Sequence, residues 1–277
     1  MKRILLMVVF CFLAGNGFGD SPYPNSVSIK CEKLDVRLDA NKFWNINGVK
    51  YNNLSASVDL AGAHWGTVFE FPEIGFIGSG HNDIELEQVL DIKMFTDGKY
   101  ASAEEVDKGG GIRCSEFRMT KTSKVKDISF NYVLEIKNNQ LTESCQLTAN
   151  KDIQLNRMYN FMHPWSEEMT DYHIMIAKDK TKQGEFKTDD TFPYDGNFIW
   201  VALYNKKNHV GVVSKFTGDT ANLLLWDRKQ YKKTYLSSFV KSTFVAGQIA
   251  NYKMITAFFV APPDEWLKIA EETASQL

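Results

Sequence analysis

The chain has 277 residues, of which 44% are apolar and 24% are charged. This composition excludes a collagen, a solenoid or a disordered chain, and it fits a globular protein with one large β domain or two small ones. The 32 basic and 34 acidic residues give a net charge of −2. With no basic excess to neutralise a phosphate backbone, nucleic acid is excluded as a partner.

The first segment has the features of a secretory signal peptide. Lys2 and Arg3 precede an apolar run over residues 4–14, and the small-x-small triplet Gly17-Phe18-Gly19 follows as a cleavage site. The run is too short to span a bilayer, and no later stretch is long enough, so we expect no transmembrane segment. We therefore predict a signal peptide over 1–19 and a secreted or periplasmic protein. Its removal would change the net charge from −2 to −4, because Lys2 and Arg3 leave with it.

Cys31, Cys114 and Cys145 remain in the mature chain. In a compartment that permits disulfides, three cysteines form at most one bridge and leave one thiol, and the sequence does not fix the pairing. Their spacing fits no zinc motif, and no phosphate-binding loop is present. We expect neither a metal nor a cofactor.

The rest of the chain is patterned as β structure. Asn47-Gly48 and Asp97-Gly98 predict tight hairpin turns. Apolar side chains alternate over residues 130–136, and a turn over 137–140 leads into a return strand. Further strands are expected over residues 153–163, 171–177, 198–204, 210–216, 222–226, 234–245 and 252–260.

Only the C-terminal segment predicts a helix. Pro262-Pro263 gives a rigid start, and Trp266, Ile269 and Ala270 fall on one face. We predict an all-β fold in which two large antiparallel sheets form a single sandwich domain over 20–277, with this short helix covering a sheet face or edge. Two immunoglobulin-like domains are the alternative, which lacks a linker and the usual Cys and Trp spacing.

One strand carries the strongest functional signal. Simple alternation over residues 154–165 places Arg157, Tyr159, Phe161 and His163 on one face, and Trp165 follows after Pro164. An aromatic face that ends in His and Trp suits a sugar site. The sequence therefore predicts a groove lined by these residues, with partners for His163 on neighbouring strands.

The run Leu155–Trp165, together with Gly80-His81 some eighty residues earlier, resembles the galactose mutarotase-like super-sandwich family. The family includes aldose 1-epimerases and related polysaccharide lyase domains. The resemblance implies a concave sugar-binding face, a His that acts as general acid and a second His that orients the sugar. His163 matches the first role and His81 the second. It also implies a Glu general base on a late strand.

That late Glu is missing, because residues 228–263 contain no Asp or Glu. The same stretch carries Arg228 and five lysines, with Tyr231 and Tyr235 among them. Cations beside a sugar cleft would neutralise a uronate carboxylate, after which His or Tyr could act as base and acid in a β-elimination. The alternative is a solvated strand face of alternating Lys and Tyr.

Indole rings stack on the apolar faces of sugar rings, which makes Trp65 and Trp165 candidates for the groove. His64 lies next to Trp65, on a turn where its ring could face a cleft.

These features predict a carbohydrate-active protein. In the first hypothesis it acts on a sugar or an acidic polysaccharide, with His163, His81 and Tyr159 as proton-handling groups and β-elimination ahead of epimerisation. His64, Trp65, Arg157, Trp165, Arg228 and Tyr231 would bind the substrate. In the alternative it is a non-catalytic carbohydrate-binding or cell-surface module, because function resides in the site rather than the fold.

Overall fold

A computed structural model describes residues 22–60, 63–78, 81–82, 87–108 and 111–277, and the predicted signal peptide lies outside them. The side chains of 81–82 and 107–108 are likewise not described. The strands are β1 Ser26–Cys31, β2 Leu34–Asp39, β3 Asn45–Tyr51, β4 Leu54–Ser55, β5 Gly66–Phe71, β6 Gly75–Gly78, β7 His81–Asn82, β8 Gln88–Thr96, β9 Lys99–Tyr100, β10 Ile112–Cys114, β11 Glu116–Val125, β12 Ile128–Lys137, β13 Gln140–Ala149, β14 Ile153–Leu155, β15 Arg157–Ser166, β16 Asp171–Ala177, β17 Lys180–Glu185, β18 Thr191–Gly196, β19 Trp200–Asn205, β20 Val210–Gly218, β21 Asn222–Asp227, β22 Tyr231–Ser238, β23 Ser242–Phe244 and β24 Ile249–Val260. The helices are α1 Ala103–Lys108 and α2 Trp266–Ser275, and a 3-10 turn covers Ala40–Lys42.

In the described residues, the strands form two large antiparallel sheets, a smaller sheet at the N-terminal side and a two-stranded sheet, β14-β23. The ten-stranded sheet has the order β17-β16-β19-β20-β24-β13-β12-β11-β8-β9, and the seven-stranded sheet has the order β18-β21-β22-β15-β5-β6-β7. A five-stranded sheet, β10-β1-β2-β3-β4, contains one parallel pair, β1 with β10. The predicted all-β sandwich is confirmed.

The seven-stranded and five-stranded sheets both pack on one face of the ten-stranded sheet. Trp165 of β15 and Tyr51 of β3 each contact Phe258 of β24, with ring centroids 6.2 Å and 5.5 Å apart. One buried apolar cluster contains side chains from the ten-, seven- and five-stranded sheets. This continuous interior is the main source of hydrophobic stabilisation.

The turn predictions are confirmed at two places and wrong at a third. Asp97 and Gly98 have positive φ angles and join β8 to β9, and Asn138 and Asn139 do the same between β12 and β13. Asn47-Gly48, in contrast, lies inside β3, because the register of β2 with β3 shifts there and accommodates an extra residue. The turn after β3 uses Asn52-Asn53, whose φ angles of 51° and 65° fit a tight hairpin.

Helix α2 begins at Trp266, three residues after Pro263, and covers the outer face of the ten-stranded sheet. Trp266, Ala270 and Ala274 are buried on one side of it. The Trp266 ring stacks on Tyr204, with centroids 5.1 Å apart and planes 1° apart. The predicted C-terminal helix and its covering role are therefore confirmed. In the part of the chain that the structure describes, no helix has the length and apolar character to cross a membrane.

Candidate functional site

A β-bulge in β15 changes the predicted arrangement of this strand. Asn160 pairs with Leu236 and His163 pairs with Thr234, so Phe161 and Met162 together lie opposite Tyr235. Phe161 has φ 45°, in the left-handed region. A bulge adds one residue and reverses the alternation beyond it. Arg157 and Tyr159 consequently face outward, whereas Phe161 and His163 face the interior, which corrects the prediction that all four side chains share one face.

His163 is completely buried between the two large sheets, with 0% of its surface exposed. Its Nε2 lies 2.6 Å from Glu143 Oε2 of β13, and the other carboxylate oxygen accepts a hydrogen bond of 2.7 Å from the Tyr132 hydroxyl. Since Glu143 and Tyr132 belong to the ten-stranded sheet, this polar triad links the sheets. The prediction of a solvent-facing general acid is not met, because the buried ring cannot contact a sugar in this packing.

The two tryptophans chosen for the groove enclose the same histidine. Trp65 and Trp165 are 4% and 0% exposed. Their ring centroids lie 4.5 Å and 5.4 Å from that of His163, and the Trp165 indole N–H donates to the Thr234 hydroxyl at 2.9 Å. Both indoles are thus interior packing groups rather than groove residues.

The structure describes the two other histidines predicted for the site, His81 and His64, in less detail. His81 lies in β7 with its backbone paired to Gly78, but its side chain lies outside the described residues. His64 is half-buried immediately before β5. The predicted pairing places His81 and His163 across an open cleft. His163 lies in the interior, and the position of the His81 side chain stays a prediction.

A second cluster of aromatic rings lies on the opposite, solvent-facing side of the seven-stranded sheet. We call it the aromatic face and define it by Phe76, Tyr159, Tyr235, Trp226 and Phe192. Tyr159 stacks on Phe76 with centroids 5.7 Å apart and contacts Tyr235 edge-on at 4.7 Å. Phe192 stacks on Trp226 at 5.3 Å and is 50% exposed. Of the predicted catalytic residues, Tyr159 is the one that the described side chains place at an accessible surface.

Charged groups border the aromatic face at two places. The Arg157 guanidinium donates to the Tyr159 hydroxyl at 2.9 Å and forms an ion pair of 2.9 Å with Glu70 on β5. Near Phe192, Arg228 packs over the Trp226 ring at 4.6 Å and pairs with Asp190 at 3.3 Å. The hydrogen bond to Tyr159 is the main cause that raises the pKa of Arg157, so this guanidinium stays charged.

Lys233 differs from the other buried lysines. Lys121 pairs with Glu87 at 2.8 Å and Lys232 pairs with Asp227 at 2.5 Å. Lys233 is 6% exposed, and no carboxylate of the described residues lies within 4.0 Å of its ammonium, which sits 5.5 Å from the Tyr235 ring centre. Burial first, and the charge of Arg228 second, lower the pKa of Lys233 to about 8.

Tyr231, a predicted binding residue, is 2% exposed. Its ring contacts Trp226 edge-on, with centroids 6.5 Å apart, and lies 5.5 Å from the Arg228 guanidinium. It therefore supports Arg228 from beneath rather than lining an open groove. Arg228 has 37% of its side chain exposed, and its role in substrate binding stays a prediction.

The sequence reasoning missed Phe76 and Phe192. Phe76 lies two residues before Gly78 on a short strand, and Phe192 lies in a loop-like segment that forms the edge strand β18. Phe76 on β6 is separated from Tyr159 on β15 by β5, whereas Phe192 on β18 lies next to Trp226 on β21. Both positions depend on the strand order, which no local pattern supplies. In the described residues, no group of three or more His, Cys, Asp or Glu side chains is arranged to hold a metal ion.

Two surface grooves lie away from the aromatic face. One, of about 440 Å³, is bordered by Ser144, Gln146 and Lys253 on the outer side of the ten-stranded sheet. The other, of about 660 Å³, lies between that sheet and α2, beside Trp200 and Glu271. None of the residues predicted for the sugar site borders either groove.

Comparison with known proteins gives a likeness of fold. No protein-family model matches the chain, and no curated protein matches it. Solved structures do match. The Slr1438 protein from Synechocystis sp. PCC 6803 is 6% identical, with 86% of this chain and 96% of that chain covered and a TM-score of 0.55.

Two glycosidase structures match over part of their length. The galactosidase domain of an alpha-galactosidase-sucrose kinase is 7% identical over 87% of this chain and 42% of that chain, with a TM-score of 0.57. The alpha-galactosidase from Lactobacillus brevis is 6% identical over 86% of this chain and 40% of that one, with a TM-score of 0.55.

A putative aldose 1-epimerase from Escherichia coli K12 is also matched, at 5% identity over 85% of this chain and 99% of that chain, with a TM-score of 0.47. At such identities the structures with a TM-score above 0.5 establish a shared fold, and they do not establish an activity.

Proposed function

We propose that this protein binds carbohydrate on its aromatic face. The observation that carries the proposal is the outward-facing stack of Phe76 on Tyr159, with the buried Tyr235 edge-on to Tyr159, beside the Arg157–Glu70 ion pair. Aromatic rings pack against the apolar C–H faces of sugars, while charged groups at the border bind hydroxyls. The two galactosidases of similar fold agree with a role in carbohydrate chemistry, by analogy of fold alone.

We further propose that the preferred sugar is acidic. Lys233 brings a cation to this face without a carboxylate of its own, and Arg228 adds a second positive group nearby. A uronate carboxylate would supply the missing counter-charge, since a buried cation is costly unless it is paired. Export by the segment 1–19 and a single domain over 20–277 complete the proposal.

Binding is tested with a matched pair of exposed aromatic residues. Phe192→Ala removes a ring that is 50% exposed on the aromatic face, and Tyr100→Ala removes one that is 53% exposed at the edge of the ten-stranded sheet. Calorimetric titration with galactose, glucuronate and oligosaccharides of each should show at least about a tenfold loss of affinity in Phe192→Ala, as expected for about 1.4 kcal/mol of lost stacking.

The Tyr100→Ala variant should bind like the unchanged protein. Equal affinities in the two variants would contradict placement of the site on the aromatic face. If neither neutral nor acidic sugars bind the unchanged protein at any concentration tested, the carbohydrate proposal itself fails.

A second candidate function is β-elimination on a uronate polymer, and the hydrogen bond from Arg157 to the Tyr159 hydroxyl favours it. In this candidate, the Tyr159 oxygen that accepts the Arg157 hydrogen bond removes the proton from C5 of the uronate. The electron pair forms the C4–C5 double bond, the C4–O bond breaks, and the phenol returns its proton to the leaving oxygen. Cationic groups stabilise the charge that develops on the uronate carboxylate.

This candidate is tested by following the ultraviolet absorbance of the unsaturated product with polygalacturonate, alginate and glucuronan. Tyr159→Phe keeps the stacked ring and loses the hydroxyl, so it should keep binding and lose the absorbance rise. If the unchanged protein binds uronates without any absorbance rise, it is a binding module. If Tyr159→Phe retains the full rate, Tyr159 is not the base.

A further inference from the structure

Two cysteine thiols lie close together at the edge of the five-stranded sheet, just before the chain enters the ten-stranded sheet. Cys31 ends β1 and Cys114 ends β10, and the two residues are directly paired in the parallel register of these strands. Their sulfur atoms lie 2.8 Å apart. Cys31 is 1% exposed, and Cys114 is half-buried. After Ser115, the chain continues from Cys114 into β11 of the ten-stranded sheet.

We propose that Cys31 and Cys114 form a disulfide that fastens β1 to β10. Paired residues on neighbouring strands have Cα separations of about 5 Å, which lies within the range that a disulfide spans. The sulfur atoms already touch, so the bond needs no backbone movement. Of the three described cysteines, Cys31 and Cys114 would then form the bridge, and Cys145 would be the free thiol.

Cys145 is excluded as a partner by its position. It lies in the middle of β13, where its registered neighbours are Tyr132 on β12 and Tyr252 on β24. Its side chain points into the sheet interior and is 2% exposed. Burial raises the pKa of the Cys145 thiol to about 12, so it remains a protonated, protected thiol.

The environment of the pair favours attack by Cys114. The hydrogen bond between the two sulfur atoms lowers the pKa of Cys114, whereas the same contact, with burial, raises the pKa of Cys31. Cys114 is also the more accessible of the two, and the thiolate is the attacking form. With oxidised glutathione as the oxidant, the Cys114 thiolate attacks one glutathione sulfur and expels a glutathione thiolate.

Cys31 completes the reaction. Its thiol gives its proton to solvent, and its sulfur attacks Cys114 in the mixed disulfide and expels the second glutathione. The protein loses two protons and two electrons, and one molecule of oxidised glutathione is reduced to two thiols. The closed loop would span 83 positions, from β1 through β10. A loop of this length strongly restricts the unfolded chain, so the bond should raise Tm.

The test is peptide mapping of the full chain after incubation in the folded state with oxidised glutathione. Free thiols are alkylated under denaturing conditions, the protein is digested, and the peptides are weighed. We expect a peptide pair linked through Cys31 and Cys114, lighter by two hydrogen atoms than the separate peptides, and an alkylated Cys145. Recovery of Cys31 and Cys114 as alkylated thiols, or linked to Cys11 or Cys145, would overturn the proposal.

Two variants separate the bond from general effects of cysteine replacement. Cys145→Ser should still form the linkage, and reduction should lower its Tm by at least about 5 °C, as in the unchanged protein. Cys114→Ser should leave Cys31 alkylatable, and its Tm should be the same with and without reductant. If Cys114→Ser does not fold, the peptide map of the unchanged protein and of Cys145→Ser decides. Sugar binding plays no part in these readouts.

Discussion

Tyr159 and His163 lie on the same strand but face opposite sides of the seven-stranded sheet. The bulge at Phe161 and Met162 separates them, so that Tyr159 packs against Phe76 outside and His163 bonds to Glu143 inside. Two of the three residues that the sequence suggests for proton handling, Tyr159 and His163, therefore lie on opposite sides of this sheet. The outer member keeps the chemistry of a surface site, and the inner member takes a structural role between the sheets.

Replacement of His163 should affect stability and leave sugar binding intact. His163→Leu leaves the buried Glu143 carboxylate with only the Tyr132 hydroxyl as a partner. Removal of one partner of a buried hydrogen bond costs about 1–3 kcal/mol, which is measurable by urea unfolding. The double variant His163→Leu/Glu143→Leu should recover part of this loss, because no uncompensated carboxylate remains.

The folded fraction of His163→Leu should bind glucuronate as the unchanged protein does. A variant with normal stability and no sugar affinity would reverse this assignment and return His163 to the site.

Much of the fold follows from local patterns in the sequence. Apolar alternation identified β12 and β13, and the Asp97-Gly98 pair identified the hairpin between β8 and β9, because both signals depend on residues near one another. Helix α2 was likewise predictable from its spacing and from Pro263. The Asn47-Gly48 turn failed because pairing with β2 absorbs the extra residue as an irregularity within β3.

The site was less predictable because its geometry depends on contacts between distant segments. A one-residue bulge reverses the face of every later side chain on the strand, and the sequence around Phe161 contains no pattern that predicts this bulge. The partner of His163 is on another sheet, and the partner of Lys232 lies across a turn. The basic stretch after residue 228 is consequently less uniform than its composition indicates, since Lys232 pairs with Asp227, whereas no carboxylate of the described residues pairs with Lys233.

The buried pair between Asp227 and Lys232 should be far more important for stability than an exposed pair. The Asp227 carboxylate accepts from the Lys232 ammonium at 2.5 Å and from the backbone N–H groups of Lys187 and Thr188. Asp227→Asn keeps the shape and removes the charge, which leaves a buried ammonium uncompensated and should cost about 3–5 kcal/mol in urea unfolding.

The control is the Lys206–Glu185 pair, which has a short contact of 2.6 Å but is largely exposed. Glu185→Gln should leave the unfolding midpoint almost unchanged, because solvent screens this pair. Similar losses of unfolding free energy in Asp227→Asn and Glu185→Gln would show that burial does not make the Asp227–Lys232 pair more important for stability than the exposed pair.

Helix α2 should stabilise the ten-stranded sheet without contributing to the aromatic face. Trp266→Ala removes a ring that is 7% exposed and stacked on Tyr204, at a cost of about 3–5 kcal/mol. Lys268→Ala, on the exposed side of the same helix, should have little effect on thermal unfolding. Loss of glucuronate binding in folded Trp266→Ala would contradict the separation of the helix from the binding face.

Lys233 should make both stability and acidic-sugar binding depend on pH. Burial, with a smaller contribution from Arg228, lowers its pKa to about 8 in the folded protein, whereas the unfolded lysine keeps its ordinary value near 10.4. Below about pH 8 both states are protonated, and the folded state carries the full penalty of the buried charge. Between about pH 8 and pH 10.4 the unfolded state binds more protons, so the free energy of unfolding should rise by on the order of 3 kcal/mol.

Urea unfolding at about pH 7.5 and about pH 9.5 measures this rise in the free energy of unfolding. The part of the rise that comes from Lys233 should disappear in Lys233→Met. It should remain in the control Lys229→Met, which changes an exposed lysine. Glucuronate affinity should change in the opposite direction, because the carboxylate requires the ammonium form, and it should fall as the pH rises through about 8. Galactose affinity, which needs no cation, should stay constant over the same range. A glucuronate affinity that is independent of pH in the unchanged protein, or equally pH-dependent in Lys233→Met, would show that the carboxylate does not bind at Lys233.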